Sequence, residues 1–276
     1  MMSSSYLYGA NVHANGIRQH YLRYGGGDGP RAGRDAVVIL PGITSPAVTW
    51  GFVGERFGRA FDTYILDIRG RGLTEASDGL DYSLDAQAAD ALAFVKALGL
   101  ARYALVGHSM GARIAIRAAR HADAALARVV AVDPPVSGPG RRPYPAKLPW
   151  YVDSIRQACN GISIDGMRAF CPTWTVEQLR LRAEWLHTCN EGAIVTSFNA
   201  FQTDDVHADL PHVKAPLLLM SAERGDVVRQ EDADEILRLA PNAQHIRVPN
   251  AGHMIPWDNE QGFYAAFGEF LGARLV

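Results

Sequence analysis

Cysteine is scarce in this sequence, and two kinds of apolar segment are absent from it. The 276 residues include only three cysteines, Cys159, Cys171 and Cys189, with no Cys-x-x-Cys spacing among them. The first residues contain neither the basic segment nor the apolar segment of a secretory signal. No apolar run is long enough to cross a bilayer. We therefore expect a cytoplasmic protein whose thiols are reduced.

The sequence also lacks an excess of one charge and the residue spacings that hold metals or nucleotides. The formal net charge is −2, which gives no indication of binding to nucleic acid or to a membrane surface. No two histidines have the His-Glu-x-x-His spacing of zinc hydrolases. The glycine run at 25–27 lacks the preceding strand and the following helix of a dinucleotide-binding loop. We expect no metal, no cofactor, no nucleic-acid partner and no membrane partner.

Short apolar segments alternate with helical patterns over most of the chain. Hydrophobic residues make up 48% of the sequence and charged residues 20%, as in globular domains. Asn15-Gly16 predicts a hairpin over residues 6–24, and a helix is predicted from its N-cap Ser83 to Gly99. Buried strands are predicted at 36–40, 63–67, 103–108, 129–133, 216–221 and 245–248. This order predicts an α/β fold with a mostly parallel central sheet flanked by helices.

Residues 137–205 interrupt the alternation. This segment contains helical patterns but no strand pattern, and one of its helices is predicted to begin at Thr175, with Gln178 completing a capping box. We predict that residues 137–205 form an inserted helical cap, or lid (the insertion), and that residues 1–136 and 206–276 form the core. The chain is predicted to end in a helix whose apolar face carries Phe263, Phe267, Phe270 and Leu271.

The segment at 103–115 reads as a strand, a Gly-x-Ser-x-Gly turn and an alanine-rich helix. This is the sequence context of a nucleophile elbow, in which the central serine is exposed on a sharp turn. Side chains at Gly107 and Gly111 would collide with the neighbouring strand and helix. Ser109 is therefore the predicted nucleophile.

A serine hydroxyl needs a base to remove its proton, and His253 is the best candidate among nine histidines. It follows the last predicted strand, and the order serine, acid, histidine is that of the α/β hydrolases. His108 precedes the nucleophile and is predicted to point away from the reaction. The acid is either Asp133 or Asp226, since each follows a strand and precedes His253, and sequence order does not decide between them.

An acyl-transfer site also needs two backbone N–H groups aimed at the developing oxyanion. Met110, directly after the nucleophile, supplies one of them. The other is expected from the loop after the first buried strand, at Ile43, where Gly42 allows a close approach. Thr44 could add a hydroxyl to the same region.

Several segments together resemble the α/β-hydrolase family over nearly the whole chain, namely those at 15–24, 41–46, 67–72, 107–111, 133–142 and 250–257. More narrowly, they resemble members that remove a formyl group from an amide nitrogen during aerobic nicotinate breakdown, and the run at 133–142 carries most of that likeness. The resemblance implies an α/β-hydrolase fold and a triad of Ser109, Asp133 and His253. Asp226 stands at the position that many other α/β hydrolases use for the acid.

The resemblance also implies metal-independent deformylation of a small substrate that bears a carboxylate. Guanidinium groups bind carboxylates with two parallel hydrogen bonds, so Arg141 and Arg142, near the start of the insertion, are the predicted partners of that group. Their joint replacement by alanine is expected to raise KM for the acid more than for a neutral ester. Trp150 and Trp185 are predicted to line the same pocket.

Other functions fit the same motifs. A carboxylesterase, or a C–C bond hydrolase acting on another small carboxylate, would use the same nucleophile and base. A ligand-sensing receptor related to these enzymes would keep an intact triad but turn over slowly. The oligomeric state cannot be deduced from these motifs.

Overall fold

The computed structural model describes residues 4–25 and 35–275. Of the glycine run at 25–27, only Gly25 belongs to the described residues. No helix of the described ranges is long and apolar enough to cross a membrane.

The described residues form a sheet of eight strands, in the order β1-β2-β4-β3-β5-β6-β7-β8. The strands are β1 (Tyr6–Ala14), β2 (Ile17–Tyr24), β3 (Ala36–Leu40), β4 (Asp62–Leu66), β5 (Tyr103–His108), β6 (Leu126–Val132), β7 (Leu217–Ala222) and β8 (Ala243–Val248). Strand β2 pairs antiparallel with both β1 and β4, and all other pairs are parallel. The predicted α/β architecture with a mostly parallel sheet is confirmed.

Helices flank this sheet. They are α1 (Gly51–Phe57), α2 (Leu84–Ala97), α3 (Met110–His121), α4 (Leu148–Cys159), α5 (Ile164–Arg168), α6 (Val176–Trp185), α7 (Glu191–Thr203), α8 (Gln230–Leu239), α9 (Ile255–Asp258) and α10 (Glu260–Phe267). As predicted, Ser83 caps α2 by accepting a hydrogen bond from the backbone N–H of Ala86, and Thr175 and Gln178 form the capping box of α6.

The two faces of the sheet pack into two apolar clusters. Along β3, Val38 and Leu40 belong to the cluster that includes residues of α2, α3 and the insertion. Val37 and Ile39 point to the opposite side, into a cluster with residues of α1 and α10. Burial of both faces explains why the central strands are almost continuously apolar rather than alternating.

The hairpin at the start of the chain follows from its turn residues. Asn15 and Gly16 both have positive φ, 51° and 76°, as the two central residues of a type I′ turn require. Ala14 pairs with Ile17 across this turn. The strand β2 that leaves it pairs with β4 and so extends the parallel sheet by two antiparallel strands.

The end of the chain differs from the prediction. The last helix ends at Phe267, because Gly268 has a positive φ of 50° that does not continue a helix. Phe270 and Leu271 therefore lie beyond α10 rather than on its face. Leu271 is nevertheless buried in the same cluster as Phe263 and Phe267, and Phe270 packs against it.

The helices α4–α7 lie between β6 and β7 in the chain, and the described residues at 137–205 contain no strand. Both ends of this segment are tied to α3 by Arg113, which is buried. Its guanidinium donates to the carbonyls of Pro135 and Ser137 at 2.8 and 2.9 Å and to those of Ala200 and Asp204 at 3.2 and 2.7 Å. The division into a core and a cap stays a prediction about domains.

Candidate active site

The turn between β5 and α3 holds Ser109 in a strained conformation. Ser109 has φ 55° and ψ −119°, outside the regions that residues with a side chain normally adopt. A Cβ on Gly107 would lie 2.1 Å from the carbonyl oxygen of Gly111, and a Cβ on Gly111 would lie 1.8 Å from that of Leu40. Only glycine fits at these two positions, so the turn can bring the start of α3 against the end of β3.

His253 lies between Ser109 and Asp133. Its Nε2 is 3.0 Å from the Ser109 hydroxyl oxygen, and its Nδ1 is 2.6 Å from Oδ2 of Asp133. A carboxylate can only accept, so Nδ1 carries the proton that is donated to Asp133. Nε2 is then free to accept the proton of Ser109, which is the arrangement of an activated nucleophile.

Asp133 is fully buried and tightly held at the end of β6. Its second oxygen, Oδ1, accepts a hydrogen bond from the backbone N–H of Ala222 at 3.2 Å. Its φ of 46° is positive, which turns the chain sharply after the strand. This conformation aims the carboxylate across the ends of β6 and β7 towards His253.

Asp226 has different surroundings. Its side chain is 58% exposed and forms an ion pair with Arg229 at 2.6 Å. The hydrogen bond from Arg229 lowers the pKa of the Asp226 carboxyl below its usual value. Asp226 lies at the cavity wall but makes no hydrogen bond to His253, so Asp133 is the carboxylate that the structure brings to the histidine.

His108 lies behind the histidine of the triad. Its Nε2 donates to the carbonyl of His253 at 2.9 Å, and its ring packs against Trp50. Burial, together with the neighbouring His253, lowers the pKa of His108 to about 3. His108 is therefore a neutral support for the loop that carries His253, and its ring also forms part of the cavity wall.

We expect His108 to make the fold sensitive to acid. Histidine in an unfolded chain titrates near 6.5, so between that pH and about 3 the unfolded state binds a proton that the folded state does not. Stability is therefore lost as the pH falls through this window. Between about pH 7.5 and about pH 5, His108 should account for a loss of about 2 kcal/mol in the free energy of unfolding.

Urea unfolding at both pH values measures this effect. His108→Gln should lose less stability on acidification than the wild type, and His121→Gln, at an exposed histidine, should behave as the wild type. Equal losses in wild type and His108→Gln would show that His108 is not the group responsible.

The loop after β3 lies beside the serine. A Cβ on Gly42 would be 3.6 Å from the Cβ of Ser109, and Ile43 lines the same cavity. Met110 is the first residue of α3, so its N–H has no acceptor within the helix. The predicted donors at Ile43 and Met110 therefore flank the nucleophile from two sides.

Arg71 fixes this loop from below. It is fully buried, and it donates to the carbonyl of Ile43 at 3.0 Å and to the hydroxyl of Ser197, in α7, at 2.8 Å. Burial lowers the pKa of Arg71 to about 10. The side chain links the loop after β3 to the insertion.

A cavity of about 690 Å³ opens above the triad. Ser109, His253 and the predicted Thr44 line its floor, and the insertion supplies much of its wall. Aromatic side chains dominate that wall, namely Tyr144, Trp150, Tyr151, Phe170 and Trp174. A substrate in this cavity would be largely shielded from water, which strengthens every charge interaction within it.

Tyr144 comes closest to the reacting groups. Its hydroxyl lies 3.4 Å from Nε2 of His253 and 3.3 Å from the hydroxyl of Tyr151. Burial raises the pKa of Tyr144 well above its usual value, so the phenol stays protonated. Its position over His253 depends on the fold, since the two residues are 109 apart in the chain.

Arg141 and Arg142, the predicted partners of the substrate carboxylate, lie elsewhere than expected. Neither arginine lines the cavity. Arg141 forms a two-fold hydrogen-bonded ion pair with Glu235 at 2.7 and 2.8 Å. Arg142 binds Asp232 at 2.5 Å. Both acids belong to α8, and their carboxylates neutralise the two arginines.

A different arginine does line the cavity. Arg182, on α6, is 4% exposed and donates to the carbonyl and the hydroxyl of Thr44 at 3.2 and 3.1 Å. Trp185, which is predicted to line the pocket, follows Arg182 by three residues, about 4.5 Å further along the axis of α6. It is not part of the cavity wall. One signal could have found Arg182: it shares the buried stripe of Leu179 and Leu186, where an unpaired charge is costly.

The described parts of the chain contain no group of three or more histidine, cysteine, aspartate or glutamate side chains that could hold a metal ion. The three cysteines are free, two of them buried and Cys159 exposed. The side chains of the site itself offer the chemistry of a serine, its base and the surrounding hydrogen-bond donors.

Comparison with known proteins agrees with this geometry. The sequence model of the Alpha/beta hydrolase family matches residues 37–266. N-formylmaleamate deformylase from Pseudomonas putida is 61% identical over 273 residues, which cover 99% of this chain and 100% of that protein. The resemblance to deformylases seen in the sequence is confirmed.

Two solved structures are also similar. The crystal structure of N-formylmaleamic acid deformylase from Pseudomonas putida, a serine-to-alanine variant, matches with a TM-score of 0.89 and 51% identity. That match covers 95% of this chain and 100% of the other. E-2-(acetamidomethylene)succinate hydrolase matches with a TM-score of 0.76 at 22% identity, over 97% of this chain and 100% of the other, which is a likeness of fold.

Proposed function

The chain belongs to the alpha/beta hydrolase family, and from this premise we propose that it hydrolyses N-formylmaleamate to maleamate and formate with Ser109, His253 and Asp133 as its triad. The observation that carries the proposal is the 61% identity to N-formylmaleamate deformylase over the full length of that enzyme. The hydrogen-bonded line from Ser109 through His253 to Asp133 supports the triad independently. We further propose a cytoplasmic role in nicotinate breakdown.

The reaction divides into two acyl transfers. Ser109 attacks the formyl carbon while His253 accepts the hydroxyl proton at Nε2, and the oxyanion receives hydrogen bonds from the N–H groups of Ile43 and Met110. His253 then gives the proton to the leaving nitrogen, and maleamate departs. A water molecule, deprotonated by His253, attacks the formyl ester of Ser109 and releases formate.

The leaving group explains why these residues suffice. The scissile nitrogen of N-formylmaleamate is flanked by a second carbonyl, so negative charge that develops on it is delocalised. Expulsion of this nitrogen therefore needs less assistance than expulsion of an ordinary amide nitrogen. Proton transfer from His253 provides the assistance that remains.

Comparison of specificity constants tests the function. We expect kcat/KM for N-formylmaleamate to exceed that for any ester in a p-nitrophenyl panel by at least about 100-fold, since the whole substrate contributes to transition-state binding. Formate and maleamate, followed by proton NMR, should appear in equal amounts. A preferred p-nitrophenyl ester would indicate a carboxylesterase, and tight binding of the acid with negligible turnover would indicate a receptor.

We expect the activity to be independent of added or bound metal. The triad supplies both nucleophile and base, so exhaustive dialysis against a chelator should leave kcat for N-formylmaleamate unchanged. The assay should follow formate release before dialysis, after it and after addition of zinc. Loss of activity that zinc restores would contradict a metal-independent mechanism.

A further inference from the structure

Arg182 is a buried cation without a carboxylate partner among the described residues. It lines the cavity, it is 4% exposed, and two of its five N–H donors are occupied by the carbonyl and hydroxyl of Thr44. Its Nε is buried and has no hydrogen-bond partner in the structure. Burial of a charge is costly unless it is paired, so this arrangement is incomplete without an anion.

Two tryptophans hold the guanidinium in place. The carbon at its centre lies 5.7 Å from the ring centroid of Trp150 and 5.6 Å from that of Trp174. Trp174 is itself stacked on Trp257 at 5.3 Å, with the rings almost parallel. Cation–π contacts of this kind stabilise the charge and leave the edge of the guanidinium plane available for hydrogen bonds.

The position of Arg182 is fixed relative to the reacting groups. Thr44, which it binds, directly follows the predicted oxyanion donor Ile43. Ser109 and Arg182 line the same cavity. A short substrate with its reacting carbonyl at Ser109 would therefore extend its other end within the cavity that Arg182 lines.

The other charged side chains of the cavity wall do not offer the same site. Lys147 is exposed and lies at the rim. Asp226 is paired with Arg229, and Asp258 accepts a hydrogen bond from the N–H of Gly252 at 2.9 Å. Among the described wall residues, Arg182 is therefore the buried side chain with a permanent positive charge.

We propose that Arg182 binds the carboxylate of the substrate and so selects short amides that bear a carboxylate over neutral amides and esters. This inference rests on the proposed deformylase function. It assigns to Arg182 the binding of the carboxylate that the sequence predicts for Arg141 and Arg142. The carboxylate accepts hydrogen bonds from Arg182, with the hydroxyl of Thr44 as a neighbouring donor. The tryptophan faces exclude water from the pair.

The kinetic test uses Arg182→Met with Arg182→Gln and Arg182→Lys beside it. We expect Arg182→Met to lower kcat/KM for N-formylmaleamate by about 100-fold, mainly through KM, because a charge-assisted hydrogen-bond pair is lost. Turnover of p-nitrophenyl acetate, which is neutral, should change less than about threefold, since it makes no use of that pair. Arg182→Lys keeps the charge and should recover part of the loss.

The control variants are Arg141→Met, Arg142→Met and Lys147→Met. The first two remove arginines that are paired outside the cavity, and the third removes the cation at its rim. None should lower the preference for the acid. A larger loss of preference in Lys147→Met than in Arg182→Met would overturn the assignment. An equal fall on both substrates in all three Arg182 variants would also overturn it, because it would mean that Arg182 only shapes the Thr44 loop.

A binding measurement separates this inference from the proposed function. Maleamate, the expected product, is titrated calorimetrically into Ser109→Ala and into Ser109→Ala combined with Arg182→Met. The second protein should bind at least about 30-fold more weakly, while Ser109→Ala with Lys147→Met should bind as tightly as Ser109→Ala alone. Equal affinities with and without Arg182 overturn the inference even if the wild type is a deformylase. Failure of the wild type to hydrolyse N-formylmaleamate overturns the function whatever the calorimetry gives.

Discussion

Replacement of Ser109 by alanine is expected to lower kcat for N-formylmaleamate by about 10⁶-fold, the scale of loss when the nucleophile of a serine triad is removed. The change deletes the atom that attacks the formyl carbon, and among the described residues of the cavity wall no other hydroxyl lies as close to Nε2 of His253. Tyr144 lies 3.4 Å from that nitrogen, but burial keeps its phenol protonated and so a poor nucleophile.

The fold should survive this substitution. The side chain of Ser109 forms a hydrogen bond with His253 and does not cap α3. Circular dichroism and thermal unfolding should therefore match the wild type. The matched control is Ser137→Ala, at another buried serine, which should keep wild-type turnover. Purified Ser109→Ala that retained a tenth of the wild-type rate would rule out the serine mechanism.

The second largest effect is expected from the acid of the triad. Asp133→Asn should lower kcat by about 10⁴-fold, as the same change does in a well-studied serine protease. Asparagine would present an N–H group or a neutral oxygen to Nδ1 of His253. It would thus disfavour the tautomer that accepts the Ser109 proton, and it would leave the imidazolium without its negative partner.

Asp226→Asn is the control for this experiment, because Asp226 is the other candidate for the acid of the triad. Asp226 is exposed and paired with Arg229, so its substitution should change kcat less than about threefold. Steady-state assays of both variants on N-formylmaleamate at one pH measure the difference. If Asp226→Asn lost most of its kcat while Asp133→Asn kept it, Asp226 would be the acid of the triad and the assignment would be reversed.

Much of the site follows from local sequence because local sterics create it. The Gly-x-Ser-x-Gly turn needs glycine where a Cβ would overlap the backbone of Gly111 or Leu40, because the first turn of α3 lies against the ends of β5 and β3. The hairpin is similar, since Asn15 and Gly16 tolerate the positive φ that its turn imposes. Such features depend on few residues and can be predicted from them.

The choice between Asp133 and Asp226 needed either a resemblance or the structure. Both residues follow a strand, and the carboxyl ends of parallel strands meet at one edge of the sheet. The difference lies in the backbone after β6, where the positive φ of Asp133 turns its carboxylate towards His253. Nothing in the surrounding sequence reports that angle.

The arginine that lines the cavity differs from the two that the sequence predicts. Arg141 and Arg142 lie near the start of the insertion, but the carboxylates that they bind, on Glu235 and Asp232, are 94 and 90 residues further along the chain. The burial of Arg182 is not predicted from the sequence, because a helix with several charged residues is typical of a solvent-exposed element. Its burial becomes visible only when α6 packs against the loop that carries Thr44.

The most direct test of the central claim, a deformylase whose nucleophile is Ser109, is titration with a fluorophosphonate, which labels activated serines covalently. The account predicts that deformylase activity falls in proportion to the fraction of protein labelled, that peptide mapping finds the label on Ser109, and that N-formylmaleamate slows the labelling. Full deformylase activity after complete labelling of Ser109, or loss of activity with the label on another residue, would contradict it.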